Sequence, residues 1–369
     1  RGRLAPLEPE RRAGVMALNI VVLGLSLTSS WGNGHATTYR SLLRALARLG
    51  HRVMFLERDL PWYADNRDLP APTYSRVGLY GDPQQLKDRY ASEVRQADLV
   101  IVGSYVPDGI EIGRWVLATA QGVTAFYDID TPVTLAQLAA GSELYISREL
   151  IPRYALYLSF TGGSVLDRLE REYGARAARA LYCSVDPDHY APQPCAAAWQ
   201  LGYMGTYSAD RQPGLERLLL APARARPELK FAVVGPQYPE TIDWPDNVTR
   251  IAHLAPRQHQ RFYNQQRFTL NITRAQMRAA GHSPSVRLFE AAACGATIIS
   301  DAWRGIEEFF EPERELLIAE SSADTLRYLH ELSEAERIAI GRRARVRALA
   351  AHTSEHRARE LIAYVNEAA

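Results

Sequence analysis

Cysteine is scarce in this chain: Cys183, Cys195 and Cys294 are the three in 369 residues. An odd number with no metal-ligand spacing excludes a disulfide framework and a zinc cluster, so the three read as small core residues of a cytosolic protein. Charge of one sign is also missing. The 43 Lys and Arg nearly balance the 42 Asp and Glu, leaving a net charge of +1. That removes any global electrostatic case for nucleic acid or an anionic membrane. No apolar run approaches the ~20 residues that span a bilayer, and no secretory pattern is visible. A cytoplasmic setting is therefore expected. Internal repeats and low-complexity tracts are absent too.

What the chain does have is length and apolar content for two cores: 41.3 kDa and 47% hydrophobic residues. Short apolar runs alternate with helical patterns, which predicts parallel α/β sheets. Predicted strands in the first half are 18–25, 52–57, 99–103, 123–128, 154–160 and 180–184. A Pro- and Asp-rich break, 185–194, follows. A second series is predicted at 200–204, 230–234, 248–251, 268–272, 297–300 and 316–319. The expected organisation is a disordered leader (1–16, with Met16 a natural start), a first Rossmann-like domain (17–185), a second (186–350), and a terminal helix (351–369). Two such domains would face a cleft, with ligands beyond the carboxyl ends of the strands.

The most informative stretch is Gly281-His-Ser-Pro-Ser-Val-Arg-Leu-Phe-Glu-Ala-Ala-Ala-Cys-Gly295. Ser283 before Pro284 predicts an N-cap and first helical position, and Gly295 predicts the helix stop. Arg287 then lies near a helix start, where the macrodipole disfavours a cation unless an anion is close. Glu290, three residues on and on the same face, can accept hydrogen bonds from a diol. Phosphate plus diol describes a nucleotide sugar. A plain Arg287–Glu290 ion pair on a solvated face is the competing reading.

This segment resembles the donor-site helix of GT-B glycosyltransferases, most closely the CgeB-like (spore-maturation-type) family. The family pattern R-x-F-E-A-A-A-C-G is matched by Arg287, Phe289, Glu290, Ala291–Ala293, Cys294 and Gly295. A following D…G-x-E-E-x-F stretch is matched by Asp301, Gly305, Glu307, Glu308 and Phe310. The likeness covers most of residues 180–320. It implies the α/β GT-B fold, with an acceptor domain first and a donor domain second, and the last helix crossing back.

The resemblance also implies site residues. After strand 200–204, Gly205-Thr-Tyr-Ser-Ala-Asp-Arg211 is similar to the family's phosphate turn, which implies Gly205, Thr206 and Arg211 on the donor diphosphate; a capped turn with an exposed Arg211 is the competing reading. Related retaining enzymes carry a Glu where this chain has His282, so the stereochemical outcome does not carry over. Together with Ser283 and Ser285, His282 is expected to line the sugar pocket. In the first half, Gly34-His35 and Gly50-His51 resemble the G-H…G-H opening of many GT-B enzymes, whose early His deprotonates the acceptor. His35 is the expected base. Strand 123–128 leads to Asp130, expected to orient His35 or act itself. A strand-end carboxylate capping the next turn is the alternative for Asp130, and a helix-entry residue hydrogen-bonded to the backbone the alternative for His35.

Asp128-Ile-Asp130 also looks like a GT-A metal motif, but two Rossmann series point away from that fold, and no metal and no cofactor are expected. His352-Thr-Ser-Glu-His356 fits a zinc-protease pattern without the downstream carboxylate it needs. Gly32-Asn-Gly34 has the look of a degenerate dinucleotide loop with Glu57 as a ribose acid, but Leu25 to Trp31 intervene after the strand where a true fingerprint has its first glycine almost at once.

The expected function is transfer of a sugar from a nucleoside diphosphate to an acceptor hydroxyl or similar nucleophile. The alternatives are a nucleotide-sugar epimerase, an NAD-linked oxidoreductase and a non-catalytic sensor. The expected partners are a nucleotide-sugar donor and a small-molecule, glycan or macromolecular acceptor. Base contacts are expected at His253–Leu254, and Trp31, Trp62 and Tyr63 are candidates to stack on a sugar or aglycone.

Overall fold

A computed structural model describes residues 17–32 and 34–369. The leader expected over residues 1–16 lies outside the described residues. The first sheet consists of β1 (Asn19–Gly24), β2 (Arg52–Arg58), β3 (Arg76–Tyr80), β4 (Leu99–Gly103), β5 (Val123–Asp128), β6 (Leu156–Ser159) and β7 (Ala178–Ala180). The second consists of β8 (Trp199–Met204), β9 (Phe231–Val234), β10 (Val248–Ile251), β11 (Gln266–Asn271), β12 (Thr297–Ser300) and β13 (Leu317–Ile318). Their orders are β3-β2-β1-β4-β5-β6-β7 and β10-β9-β8-β11-β12-β13. Every pairing is parallel. The central strands are apolar on both faces because helices cover both, which is why they are legible as continuous hydrophobic runs.

Two strands depart from the sequence expectation. β3 was not predicted: Arg-Val-Gly-Leu-Tyr is a half-exposed edge strand with a glycine in its middle, which weakens the pattern. The expected strand 180–184 stops instead at Ala180. Past that edge Leu181 N–H still donates to Ser159 O at 2.7 Å, and the chain then runs on towards the second domain.

Strand order reverses between β1 and β4 in one sheet and between β8 and β11 in the other. Such switch points open crevices at the strands' carboxyl ends. The crossings between domains lie side by side: Val185 forms a parallel bridge with Thr353, donating to His352 O at 3.1 Å and accepting from Ser354 N–H at 2.8 Å. The helices that matter are α1 (His35–Arg48), α2 (Val286–Ala293), α3 (Glu334–Ala351) and α4 (Ser354–Ala368). α4 lies back on α1 of the first domain, and the Tyr364 hydroxyl donates to Ala180 O at 3.1 Å. The chain thus passes out and back through one narrow joint.

Candidate active site

The second-domain wall starts at the end of β8. A Cβ on Gly205 would meet the Tyr203 hydroxyl at 2.7 Å and Arg287 Nη2 at 3.0 Å. Gly235, after β9, has φ +147°, and a Cβ there would strike Gly205 O at 2.0 Å. Only glycine lets these two turns touch and leave backbone facing the cleft. Arg211 folds over the first turn, donating from Nε to Ser208 Oγ (2.8 Å) and from Nη2 to Thr206 O (2.5 Å).

Helix α2 begins at Val286, with Ser285 in the N-cap position. The predicted start at Ser283 is therefore corrected by two residues. Ser283 Oγ is instead 2.8 Å from Thr161 Oγ1 of the first domain. Ser285 does not cap: its hydroxyl donates to Asn271 Oδ1 at 2.7 Å. The Ser285 side chain thus satisfies none of the N–H groups at the start of α2. Gly295, at φ +72°, ends the helix as expected.

Arg287 is the second residue of α2 and is only 7% exposed. Its Nε donates to Met204 O at 2.6 Å, Nη1 to Asn271 Oδ1 at 2.8 Å, and its guanidinium lies 4.8 Å from the Tyr203 ring centroid. These partners are all neutral. Among the described residues neither Arg287 nor Arg211 makes an ion pair. The Arg287–Glu290 pair does not form: buried Glu290 accepts from the Tyr263 hydroxyl at 2.8 Å. A buried cation without a counter-charge at a helix start is costly unless an anion completes it.

These residues line a cavity of about 300 Å³ running from Gly205, Thr206 and Arg287 past Glu290 to His253, Leu254 and Pro256. It joins a second cavity of about 440 Å³, which contains Ser283, Ser285 and the first-domain residues His35 and Asp130. Arg211, Arg274 and Arg287 line both. Sequence reasoning missed Arg274. Its signal was available, since it lies just beyond strand β11 at the switch point, on the side that faces the cleft.

The first-domain wall places His35 at the first position of α1. Its ring meets Tyr105 edge-on, centroids 5.2 Å apart, and its Nδ1 is buried without a hydrogen-bond partner among the described residues. Burial lowers its pKa below the usual 6.5, against an opposing pull from Asp130. Asp130 occupies the N-cap position of helix Thr131–Ala139 but makes no side-chain cap bond. Its carboxylate accepts from the Tyr105 hydroxyl at 3.0 Å and from Arg274 Nη1 at 3.3 Å. Tyr105, at φ +63°, thus touches both His35 and Asp130. Beneath them Asp128 is buried and accepts from Tyr157 (2.6 Å), Thr134 (3.0 Å) and the Asp130 N–H (3.1 Å); burial lifts its pKa to about 6.

His282 is not part of either cavity wall. It has φ +48° and lies between Gly163 and Gly305, where any Cβ would come within 2.4 Å of its ring, and its Nδ1 is 2.8 Å from Glu308 Oε1. Its carbonyl accepts from Gly162 N–H at 2.9 Å, so it joins the two domains. The dinucleotide reading fails for Glu57, whose buried carboxylate is occupied by the Leu27 and Thr28 N–H groups (2.6 and 3.0 Å) and the Thr28 hydroxyl (2.6 Å). His352 is buried against Phe289, and no metal-binding group of three or more His, Cys, Asp or Glu exists among the described residues.

Solved structures share this two-domain arrangement. Sucrose-phosphate synthase from Thermosynechococcus elongatus is 16% identical, with 94% of this chain and 98% of that one covered and a TM-score of 0.67. HepE from Anabaena, solved with UDP-glucose, is 13% identical over 95% and 100%, with a TM-score of 0.69. An alpha-glucosyltransferase solved with UDP is 12% identical over 95% and 100%, with a TM-score of 0.71. The fold is GT-B. Over residues 211–363 the sequence also matches the glycosyl transferase-like family. The matched residues include Arg211, Arg274, Arg287 and Glu290. No curated protein matches the sequence.

Proposed function

We propose that this protein is a glycosyltransferase of the CgeB-like type, moving a sugar from a nucleoside diphosphate to an acceptor hydroxyl without a metal or cofactor. The carrying observation is the buried Arg287, unpaired at the start of α2 and flanked by Arg211 and Arg274 at the junction of two cavities. Three guanidinia lining the same cavities supply the positive charge that a departing diphosphate needs. The base points to His253 and Leu254, the ribose to Glu290, and the sugar to the Ser283–Ser285 side. UDP-glucose is the first donor to try, since neighbours of the same fold bind UDP or UDP-glucose.

Across the cleft His35 takes the acceptor proton. Its lowered pKa keeps it unprotonated at neutral pH, and Asp130 stabilises the imidazolium that forms. Closure about the Val185–Thr353 joint excludes water from the donor. An epimerase would leave the first-domain wall around His35 without a task. The free thiols of Cys183, Cys195 and Cys294 support a cytoplasmic setting. The described helices include none long and apolar enough to cross a membrane.

Thermal shift with UDP, TDP and GDP tests the reading. One of them should raise the melting temperature in proportion to ligand concentration over its dissociation constant. Silence from all three would defeat it.

A further inference from the structure

The first-domain half of the 440 Å³ cavity contributes Leu25, Tyr63, Tyr105, Ile129 and Phe160 around His35, Thr38 and Asp130. These come from the ends of β1, β2, β4, β5 and β6, so five separate loops each place an apolar or aromatic side chain there. Among the described residues on this wall none is Lys or Arg. The Tyr105 hydroxyl is already committed to Asp130. Two exposed tryptophans lie on the flanking loops: Trp62, 51% exposed and edge-on to Tyr63, and Trp31, 40% exposed. The two loops are bound together through Ser29 Oγ to Asn66 O (2.8 Å) and Ser30 N–H to Asp68 (2.9 Å).

We propose that the acceptor is a neutral, ring-bearing, largely apolar molecule presenting one hydroxyl, a phenol or a ring alcohol. This deepens the transferase reading and rests on it. The physical reason is polar satisfaction. A sugar brings several hydroxyls into the site, and each one left unpaired after burial costs about 1–3 kcal/mol. This wall offers His35, Thr38, Asp130 and the Tyr63 hydroxyl as polar partners, too few for the several hydroxyls of a sugar. A sugar phosphate or a nucleic acid further needs cations beyond those that hold the donor. An aromatic or alicyclic body gains from the same wall by apolar burial and edge-to-face ring contacts.

In the transfer step the acceptor oxygen bonds to the anomeric carbon of the donor sugar. The bond from that carbon to the diphosphate oxygen breaks, and its electron pair leaves with the diphosphate. The acceptor proton passes to His35.

The test uses the full chain with the donor whose nucleoside diphosphate shifts its melting temperature. Four acceptors are offered: a hydroxycoumarin, menthol, a hexose phosphate and a single-stranded oligonucleotide, with product read by mass. The hydroxycoumarin or menthol should be glycosylated at least about tenfold faster than either charged acceptor. Tyr63→Ala should raise KM for the preferred acceptor while leaving the dissociation constant of the nucleoside diphosphate unchanged. Preference for the hexose phosphate or oligonucleotide, or donor hydrolysis with transfer to none of the four, overturns this inference and leaves donor binding standing. Absence of any thermal shift would instead remove the transferase reading, and this inference with it.

Discussion

Arg274 of the second domain and Asp130 of the first face each other across the cleft, Nη1 to Oδ2, at 3.3 Å. The contact is long for a charge-assisted bond, and Arg274 Nε is buried with no partner. A diphosphate between Arg211 and Arg287 would compete with Asp130 for Arg274. Arg274→Ala should therefore weaken nucleoside diphosphate binding. Asp130→Asn should bind it as tightly or more tightly, while transfer falls by about 10²–10⁴. Calorimetry and initial rates on both variants check this, and weaker binding by Asp130→Asn would refute the competition.

Arg287→Ala removes a buried cation that no carboxylate balances. Nucleoside diphosphate binding should weaken by about 1.5–3 kcal/mol, the range for a hydrogen bond to a charged group. The unliganded melting temperature should change little, because the lost bonds to Met204 and Asn271 are offset by relief of the desolvated charge. A thermal-shift titration reads both quantities at once. A large loss of unliganded stability with ligand response intact would mark Arg287 as structural.

For His35, burial holds the pKa below 6.5. The unprotonated base is then present at neutral pH and is lost only as pH falls through that lowered value. Transfer should be flat above pH 6.5, with its acid limb lower. His35→Ala should cut kcat by about 10²–10⁴ with donor affinity unchanged. A pH–rate profile identical in the variant would exclude the role.

The domain joint makes a separate prediction. Burial and the nearby Arg357 lower the His352 pKa from 6.5 to about 3. Below pH 6.5 the unfolded chain binds a proton that the folded chain refuses. The stability from neutral His352 is thus present above 6.5 and lost as pH falls towards 3. His352→Gln should show a shallower fall in melting temperature over that window than the native chain. Equal slopes would show that His352 contributes nothing to acid sensitivity.

Strands β4, β5 and β12 were legible to the residue because central parallel strands are apolar on both faces and need no context. β3 was not, because an edge strand carries half that pattern and a glycine interrupts it. The start of α2 was misread by two residues: Ser283-Pro284 has the right chemistry for a cap, but Thr161 in the other domain takes the Ser283 hydroxyl. His282 was expected at the sugar for its place in the motif, yet Gly163 and Gly305 close around it.

By itself the sequence determined two parallel sheets, the glycines that let the turns after β8 and β9 meet, and an Arg and Glu three residues apart on one helix. These are local properties, set by period, backbone freedom and spacing. Only the tertiary structure decided that Arg287 is unpaired, that Glu290 belongs to Tyr263, and that Arg274 reaches Asp130 across 144 residues of chain. A charge's partner is fixed by distance in space, and that distance exists only once the two domains are folded against each other.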